Sequence, residues 1–133
     1  MIKQEFTLDN KWLVRVIYSM HEGDISEAMS ALHELKCPSK TALKAYGIIS
    51  SGMNKGFTFT NDSLLTTLIY IGVSSDDGEL INTIVHEAKH AQSNICAHFG
   101  IREDGEAAAE LIAYIVQKMW EDFEILLKVN YDE

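Results

Sequence analysis

Three residues in the middle of the chain have the types and the spacing of a catalytic metal site. They are His86, Glu87 and His90, within the segment TIVHEAKHAQ at residues 83–92. Residues four apart lie above one another on one face of a helix, so the two imidazoles can bind one tetrahedral Zn²⁺ ion. Glu87 lies next to that face, where it can take a proton from a water molecule at an open coordination position. The pattern predicts metal-assisted hydrolysis.

The same pattern also fits an ordinary amphipathic helix, in which His86 and His90 border the apolar face and Glu87 is solvated. Both interpretations predict a helix over residues 76–100, because apolar residues recur there at helical spacing. These residues are Leu80, Ile81, Ile84, Val85, Ala88, Ala91, Ile95 and Phe99. Gly100 is expected to end this helix.

Two carboxylates follow at the start of a second long helix. The acidic turn IREDG leads into EAAAELIAYIVQKMWEDFEILLKV, a run of strong helix formers in which Glu106 and Glu110 share one face. Antiparallel packing across so short a turn is expected to bring these carboxylates alongside the histidines, and the small side chains at 107–109 permit a close approach. One carboxylate can then bind the metal while the other accepts a hydrogen bond from a ligand imidazole.

The two segments HEAKH and GEAAAEL together resemble the gluzincin metallopeptidases, which include thermolysin-like enzymes. The resemblance implies that His86, His90 and Glu106 are zinc ligands. It also implies that Glu87 is the general base and that Glu110 orients a ligand histidine. The interval from His90 to Glu106 is shorter than in thermolysin-like enzymes, whereas Glu110 matches their spacing, so the two carboxylates can exchange roles.

A broader resemblance covers about residues 50–120 and is carried by GFTFTND, TLIYIGVSS, ELINTIVHEAKH and GEAAAELIAYIVQKMW. These segments are similar to small HExxH proteins of gut Bacteroidetes and of their phages or mobile elements. The resemblance implies a zinc-dependent metallopeptidase that acts on a peptide or protein substrate. The alternative is a non-catalytic, zinc-stabilised binding or regulatory protein of a phage or mobile element. A toxin or host-interference factor with the same chemistry is a third hypothesis.

Other residues near these helices have less specific interpretations. Tyr114 lies on the same stripe as the two carboxylates and can either stabilise an oxyanion at the site or serve as a core residue. His98, two turns beyond the second histidine, can be an extra ligand or proton donor, or can interact with the helix C-terminus. His21 and His33 have no local pattern and are expected to be surface or structural residues.

The remaining segments predict a small α+β fold. KWLVRVIYSM at residues 11–20 favours a strand, and residues 23–36 and 39–52 favour helices capped by Asp24 and Ser39. GFTFTND and SLLTTLIYIGVSS predict a hairpin joined by an Asn-Asp turn, with TLIYIGV as an edge onto which an extended peptide can add. We expect this hairpin or small sheet to pack on a helical bundle, in which an antiparallel pair of long C-terminal helices carries the HExxH residues.

Length, charge and cysteine content restrict the function further. The 133 residues predict a single metallopeptidase-like domain at 1–133, and the net charge of -9 argues against nucleic acid as a partner. No apolar run approaches the roughly 20 residues that span a bilayer, and no secretion signal is present, so a cytoplasmic protein without membrane contact is expected. Cys37 and Cys96 are too few for a disulfide framework and are expected to be free thiols.

Overall fold

A computed structural model describes residues 1–9, 11–20 and 25–131 of the chain, with side chains described up to residue 125. The described residues form a mixed four-stranded sheet and four helices, and the predicted α+β class is confirmed. The strands are β1 (Ile2–Thr7), β2 (Leu13–Tyr18), β3 (Gly56–Asn61) and β4 (Thr66–Ile71). The helices are α1 (Ile25–Glu34), α2 (Ser39–Ser50), α3 (Asp77–Phe99) and α4 (Glu106–Tyr131).

The strand order in the sheet is β1-β2-β4-β3. β4 pairs in parallel with β2 and antiparallel with β3, while β1 pairs antiparallel with the other side of β2. All six residues of β4 are buried, as expected for an apolar run covered on both faces. The prediction that TLIYIGV is an edge is therefore wrong, because this segment lies inside the sheet and β3 forms the edge beside it.

The predicted hairpin is confirmed by the antiparallel pairing of β3 with β4. A single 3-10 turn at Asp62–Leu64 joins the two strands, and the side chain of Asn61 accepts a hydrogen bond from the backbone N–H of Leu64 at 3.3 Å. Leu65 then adopts a left-handed conformation, with φ of 47°, before β4 begins. The Asn61 side chain thus helps to close the turn.

The first two helices were predicted correctly, but the cap predicted for the second helix was not. The predicted helices at 23–36 and 39–52 correspond to α1 and α2. Ser39 is not the cap of α2, because Pro38 occupies the N-cap position and no side chain caps the helix there. Proline is suited to the start of a helix, where its missing N–H has no partner to lose. Asp24 and His21 lie outside the described residues.

Helices cover both faces of the sheet, whereas the sequence predicted a sheet on one helical bundle. Alternating side chains of β4 separate the two cores, since Leu68 and Tyr70 face α1 and α2 while Ile69 and Ile71 face α3 and α4. The larger core also contains Trp12, which is fully buried. Its indole N–H donates a hydrogen bond to the Thr67 hydroxyl at 2.9 Å.

The buried face of α3 was predicted in part. Five of its eight apolar positions are buried, but Ile81, Val85 and Phe99 are 48%, 44% and 42% exposed. The sheet covers a narrower face of α3 than the face on which its apolar residues lie. These three side chains therefore lie at the edge of the covered face. Gly100 ends the helix in a left-handed conformation with φ of 68°, as predicted. No helix in the described part of the chain is long and apolar enough to cross a membrane.

Contacts to α4 hold the second long helix against the sheet and against α3. The Tyr18 hydroxyl lies 3.0 Å from Oε1 of Gln4 and 3.2 Å from the backbone carbonyl oxygen of Met119. Burial, with a smaller contribution from Asp122, raises the pKa of Tyr18 above its ordinary value, so this hydroxyl remains a hydrogen-bond donor. Gln92 of α3 donates from Nε2 to the backbone carbonyl oxygen of Ala108 at 2.9 Å.

Both cysteines are free thiols, as predicted, with Cys37 half-buried and Cys96 buried. Burial raises the pKa of each thiol above its ordinary value. The Glu103 carboxylate raises the pKa of Cys96 further, and the Lys89 ammonium opposes that effect. A raised pKa keeps the less reactive thiol form dominant near neutral pH.

Candidate metal centre

The HExxH residues lie in the middle of α3, on the helix that their spacing predicted. This helix begins where the Asp76 carboxylate accepts a hydrogen bond from the backbone N–H of Glu79 at 2.8 Å. Its buried side packs against β3 and β4. The arrangement fixes the direction in which each side chain of the HExxH segment can extend, with Glu87 toward β3 and both histidines at the exposed border.

The imidazole rings of His86 and His90 are neighbours. Their Nε2 atoms are 3.3 Å apart, with ring centroids at 4.9 Å and an interplanar angle of 71°. Two nitrogens bound to one tetrahedral zinc ion at their usual 2.0–2.1 Å lie about 3.3–3.4 Å from each other. The two donors therefore have a separation that suits a shared zinc ion. The same distance also permits one imidazole N–H to donate to the other ring.

Glu87 is buried, with 5% of the residue exposed. Its Oε1 accepts a hydrogen bond from the Thr58 hydroxyl at 2.9 Å, and the same hydroxyl lies 3.1 Å from the backbone carbonyl oxygen of Glu87. Its Oε2 lies 4.0 Å from Nε2 of His86. The alternative in which Glu87 is solvated is wrong, because β3 covers the carboxylate and holds one of its oxygens.

Two residues of β3 shape this environment and were not found by sequence reasoning. Thr58 provides the hydrogen bond to Glu87, and Gly56 allows the helix to approach the strand. A Cβ atom at Gly56 would lie 2.7 Å from the carbonyl oxygen of Tyr70 and 3.0 Å from Cγ of Glu87. A glycine that begins a strand is a signal for such a close approach. The sequence does not indicate which helix approaches.

Replacing Gly56 with alanine is expected to lower the free energy of unfolding by about 1–3 kcal/mol, because the added methyl group overpacks the contact between β3 and α3. Gly47→Ala is the matched control, since a Cβ at Gly47 meets no atom within 4 Å. Gly47 lies within α2, where alanine favours the helix, so this variant should be neutral or stabilising. Urea unfolding followed by circular dichroism measures both changes. Equal stability of the two variants would contradict the close approach.

A small polar pocket lies directly beside the HExxH residues. It has a volume of about 190 Å³ and is lined by Asn54, Lys55, Gly56, Asn82, Thr83, His86 and Glu87. Pockets that hold whole small-molecule ligands usually have about 300–1,000 Å³. This pocket can accept one side chain of a longer molecule that extends along the surface.

Glu106 and Glu110 lie on α4, and both are exposed. Gln92 makes a hydrogen bond from α3 to α4, and it is six residues after His86 and therefore about 120° from it around the helix. In the described part of the chain, neither carboxylate forms a hydrogen bond or ion pair with a histidine of α3. The described residues also contain no group of three or more His, Cys, Asp or Glu side chains that could hold a metal ion. Zinc ligation by α4 stays a prediction.

Tyr114 lies beside Glu110, as their shared helical stripe predicted. Both residues line a second pocket together with Leu8 and Asp9, and no residue of β3 lines it. Tyr114 is 40% exposed, so the interpretation of Tyr114 as a core residue is wrong. Its proposed contribution to an oxyanion site stays a prediction.

His98 lies in the last turn of α3, where a histidine can interact with the helix C-terminus. Its Nδ1 is 3.5 Å from Oδ2 of Asp62, and its ring packs edge-on against Trp12 with centroids at 5.2 Å. These contacts connect the end of α3 to the turn between β3 and β4. His33 lies in the last turn of α1 and is exposed, which fits the surface position expected for it.

No protein-family model, curated protein or solved structure matches this chain. The site is therefore described by its own geometry. It consists of two imidazole Nε2 atoms at 3.3 Å beside the buried carboxylate of Glu87, at the edge of a mixed sheet.

Proposed function

We propose that this chain is a zinc-dependent metallopeptidase of the gluzincin type, in which His86 and His90 hold Zn²⁺ and Glu87 is the general base. The observation that carries the proposal is the 3.3 Å separation of the two Nε2 atoms, with a carboxylate oxygen of Glu87 4.0 Å from one of them. When bound, zinc supplies a Lewis acid that polarises the peptide carbonyl and acidifies a bound water. The exposure of both imidazoles leaves them open to an ion and to a substrate.

Glu87 has the environment that a general base requires. The Thr58 hydroxyl binds Oε1 and restricts the carboxylate to one orientation, while Oε2 remains on the side of His86. A base held in place needs no rearrangement before it takes a proton from water. Glu87 thus accepts the proton of the attacking water and delivers it to the leaving amine.

We propose Glu106 as the third ligand, with Glu110 as the alternative. An antiparallel pairing of α3 and α4 is supported by the short connection at residues 101–105 and by the hydrogen bond from Gln92 to Ala108. Because His86 is about 120° from Gln92 around α3, ligation requires the first turn of α4 to move toward the histidines. The first residue of a helix is suited to such a movement, since helix ends fray.

The edge strand β3 suggests how a peptide substrate binds. In the described sheet β3 pairs only with β4, so its outer side can form main-chain hydrogen bonds with an extended peptide. Gly56 and Thr58 of this strand contact Glu87, which brings the base close to any peptide that adds to the edge. The substrate class we propose is therefore an extended segment of a peptide or protein, with one side chain in the polar pocket.

A non-catalytic zinc-binding or regulatory protein is the second candidate function. It is favoured by the small size of the pocket beside Glu87, about 190 Å³. The resemblance to small HExxH proteins of phages or mobile elements is compatible with either function. Incubation of the zinc-loaded protein with a mixture of peptides, followed by mass spectrometry, separates the two. Chelator-sensitive cleavage supports the peptidase, and bound zinc without cleavage of any peptide supports the second candidate.

A further inference from the structure

A second, larger pocket lies between the end of β1 and the first turns of α4. Its volume is about 500 Å³, within the range of about 300–1,000 Å³ that is typical of small-ligand sites. It shares no lining residue with the pocket beside Glu87. Its walls include three aliphatic side chains, two carboxylates and a phenol, which belong to Leu8, Ile101, Leu111, Asp9, Glu110 and Tyr114.

The polar part of this pocket is negatively charged. Asp9 and Glu110 each contribute one of the acidic charges in the net charge of -9, and no lysine or arginine lines the pocket. In the described part of the chain, neither carboxylate has a hydrogen-bond or ion-pair partner. Two carboxylates at one apolar cavity attract a cation that can donate hydrogen bonds to both of them.

The aromatic wall has the same preference for a cation. The ring of Tyr114 is 40% exposed, and Nζ of Lys118 lies 6.0 Å from its centroid. Aromatic faces attract ammonium groups at about this distance. The phenol oxygen of Tyr114 adds a hydrogen-bond acceptor to this wall.

We propose that this pocket binds a primary alkylammonium group. The alkyl stem packs on Leu8, Ile101 and Leu111, while the ammonium donates its three hydrogen bonds to the acceptors of Asp9, Glu110 and Tyr114. A free alkyl amine and the lysine side chain of another protein share this chemistry. The proposal goes beyond the peptidase function and does not depend on it, since the pocket uses neither histidine of α3 and needs Glu110 and Tyr114 only as its walls.

A titration of the isotopically labelled full chain by NMR tests the pocket, with pentylammonium chloride as the probe and pentan-1-ol as its neutral match. Pentylammonium is expected to shift the amide signals of Leu8, Ile101 and Leu111 to saturation, and to bind at least about tenfold more tightly than the alcohol. Equal binding of the two probes, or shifts that are not centred on these residues, would overturn the proposal.

Substitutions of the two carboxylates test whether each of them binds the ammonium group. Asp9→Asn and Glu110→Gln should each weaken pentylammonium binding about tenfold, whereas Glu79→Gln, an exposed carboxylate of α3, should bind as wild type. Because Glu110 is also the alternative zinc ligand, Asp9→Asn is the deciding variant, and wild-type affinity in Asp9→Asn would refute the site. N-acetyl-lysine methylamide distinguishes the two sources. If this lysine derivative binds as tightly as pentylammonium, the natural ligand is a lysine side chain of another protein. If it binds about tenfold more weakly, the natural ligand is a free alkyl amine. Both outcomes uphold an alkylammonium site.

Discussion

Replacing Glu87 with glutamine is expected to lower the rate of peptide hydrolysis by about 10²–10⁴-fold while zinc remains bound, because the amide cannot accept a proton from water. The side-chain oxygen of glutamine can still accept the hydrogen bond from Thr58, so the fold around the site should be preserved. The histidines are unchanged in this variant. The substitution therefore separates the proposed role of Glu87 as base from the proposed role of the histidines as metal ligands.

Initial rates on a peptide mixture, measured by mass spectrometry at equal zinc content, provide the test. Glu79→Gln is a suitable control, since it removes an exposed carboxylate from the first turn of the same helix. The control should cleave peptides at the wild-type rate. Equal cleavage by wild type and by Glu87→Gln would show that Glu87 is not the base.

Replacing Trp12 with alanine is expected to lower the free energy of unfolding by about 3–5 kcal/mol, the usual cost of truncating a buried aromatic residue. Trp12 is fully buried, packs against His98 and Phe99 of α3, and donates to the Thr67 hydroxyl. Its loss leaves a cavity and removes one partner of a buried hydroxyl. Small domains have a stability of about 5–15 kcal/mol, so this loss is a large fraction of the total.

Trp120→Ala is the matched control for this prediction, because it removes an indole that is 46% exposed. Its indole N–H donates to the exposed carboxylate of Glu124 at 3.1 Å, and its ring packs on Phe123 with centroids at 4.6 Å, so we expect a smaller loss of about 1–2 kcal/mol. Urea unfolding followed by circular dichroism compares the two variants without depending on tryptophan fluorescence. Losses of similar size would contradict the central position of Trp12 in the larger core.

Local chemistry explains which parts of the fold could be predicted. The β3–β4 hairpin follows from its β-branched and aromatic composition and from the Asn61 turn, and the end of α3 follows from Gly100. β1 was missed because its first four residues, Ile2–Glu5, are partly or fully exposed and its segment IKQEFT has little apolar content. That strand depends on its pairing with β2, which no local pattern indicates.

In the candidate site, too, local features could be predicted from the sequence and features that depend on packing could not. The neighbouring imidazoles of His86 and His90 follow from their spacing of four on a helix, which is a local property. The contact between Thr58 and Glu87 joins residues 29 apart and depends on how α3 packs on β3. The position of Glu106 relative to the histidines depends on the rotation of α3 about its axis, which the sheet determines and the spacing of the residues does not.

Elemental analysis of protein purified without added metal tests the central claim most directly. The proposed site predicts about one zinc ion per chain in wild type and less than about a tenth of that in His86→Ala, since removal of one imidazole leaves an incomplete set of ligands. Glu106→Gln should also lower zinc occupancy if α4 supplies the third ligand. A wild-type zinc content below about half an equivalent that is unchanged in His86→Ala would contradict zinc binding by His86 and His90.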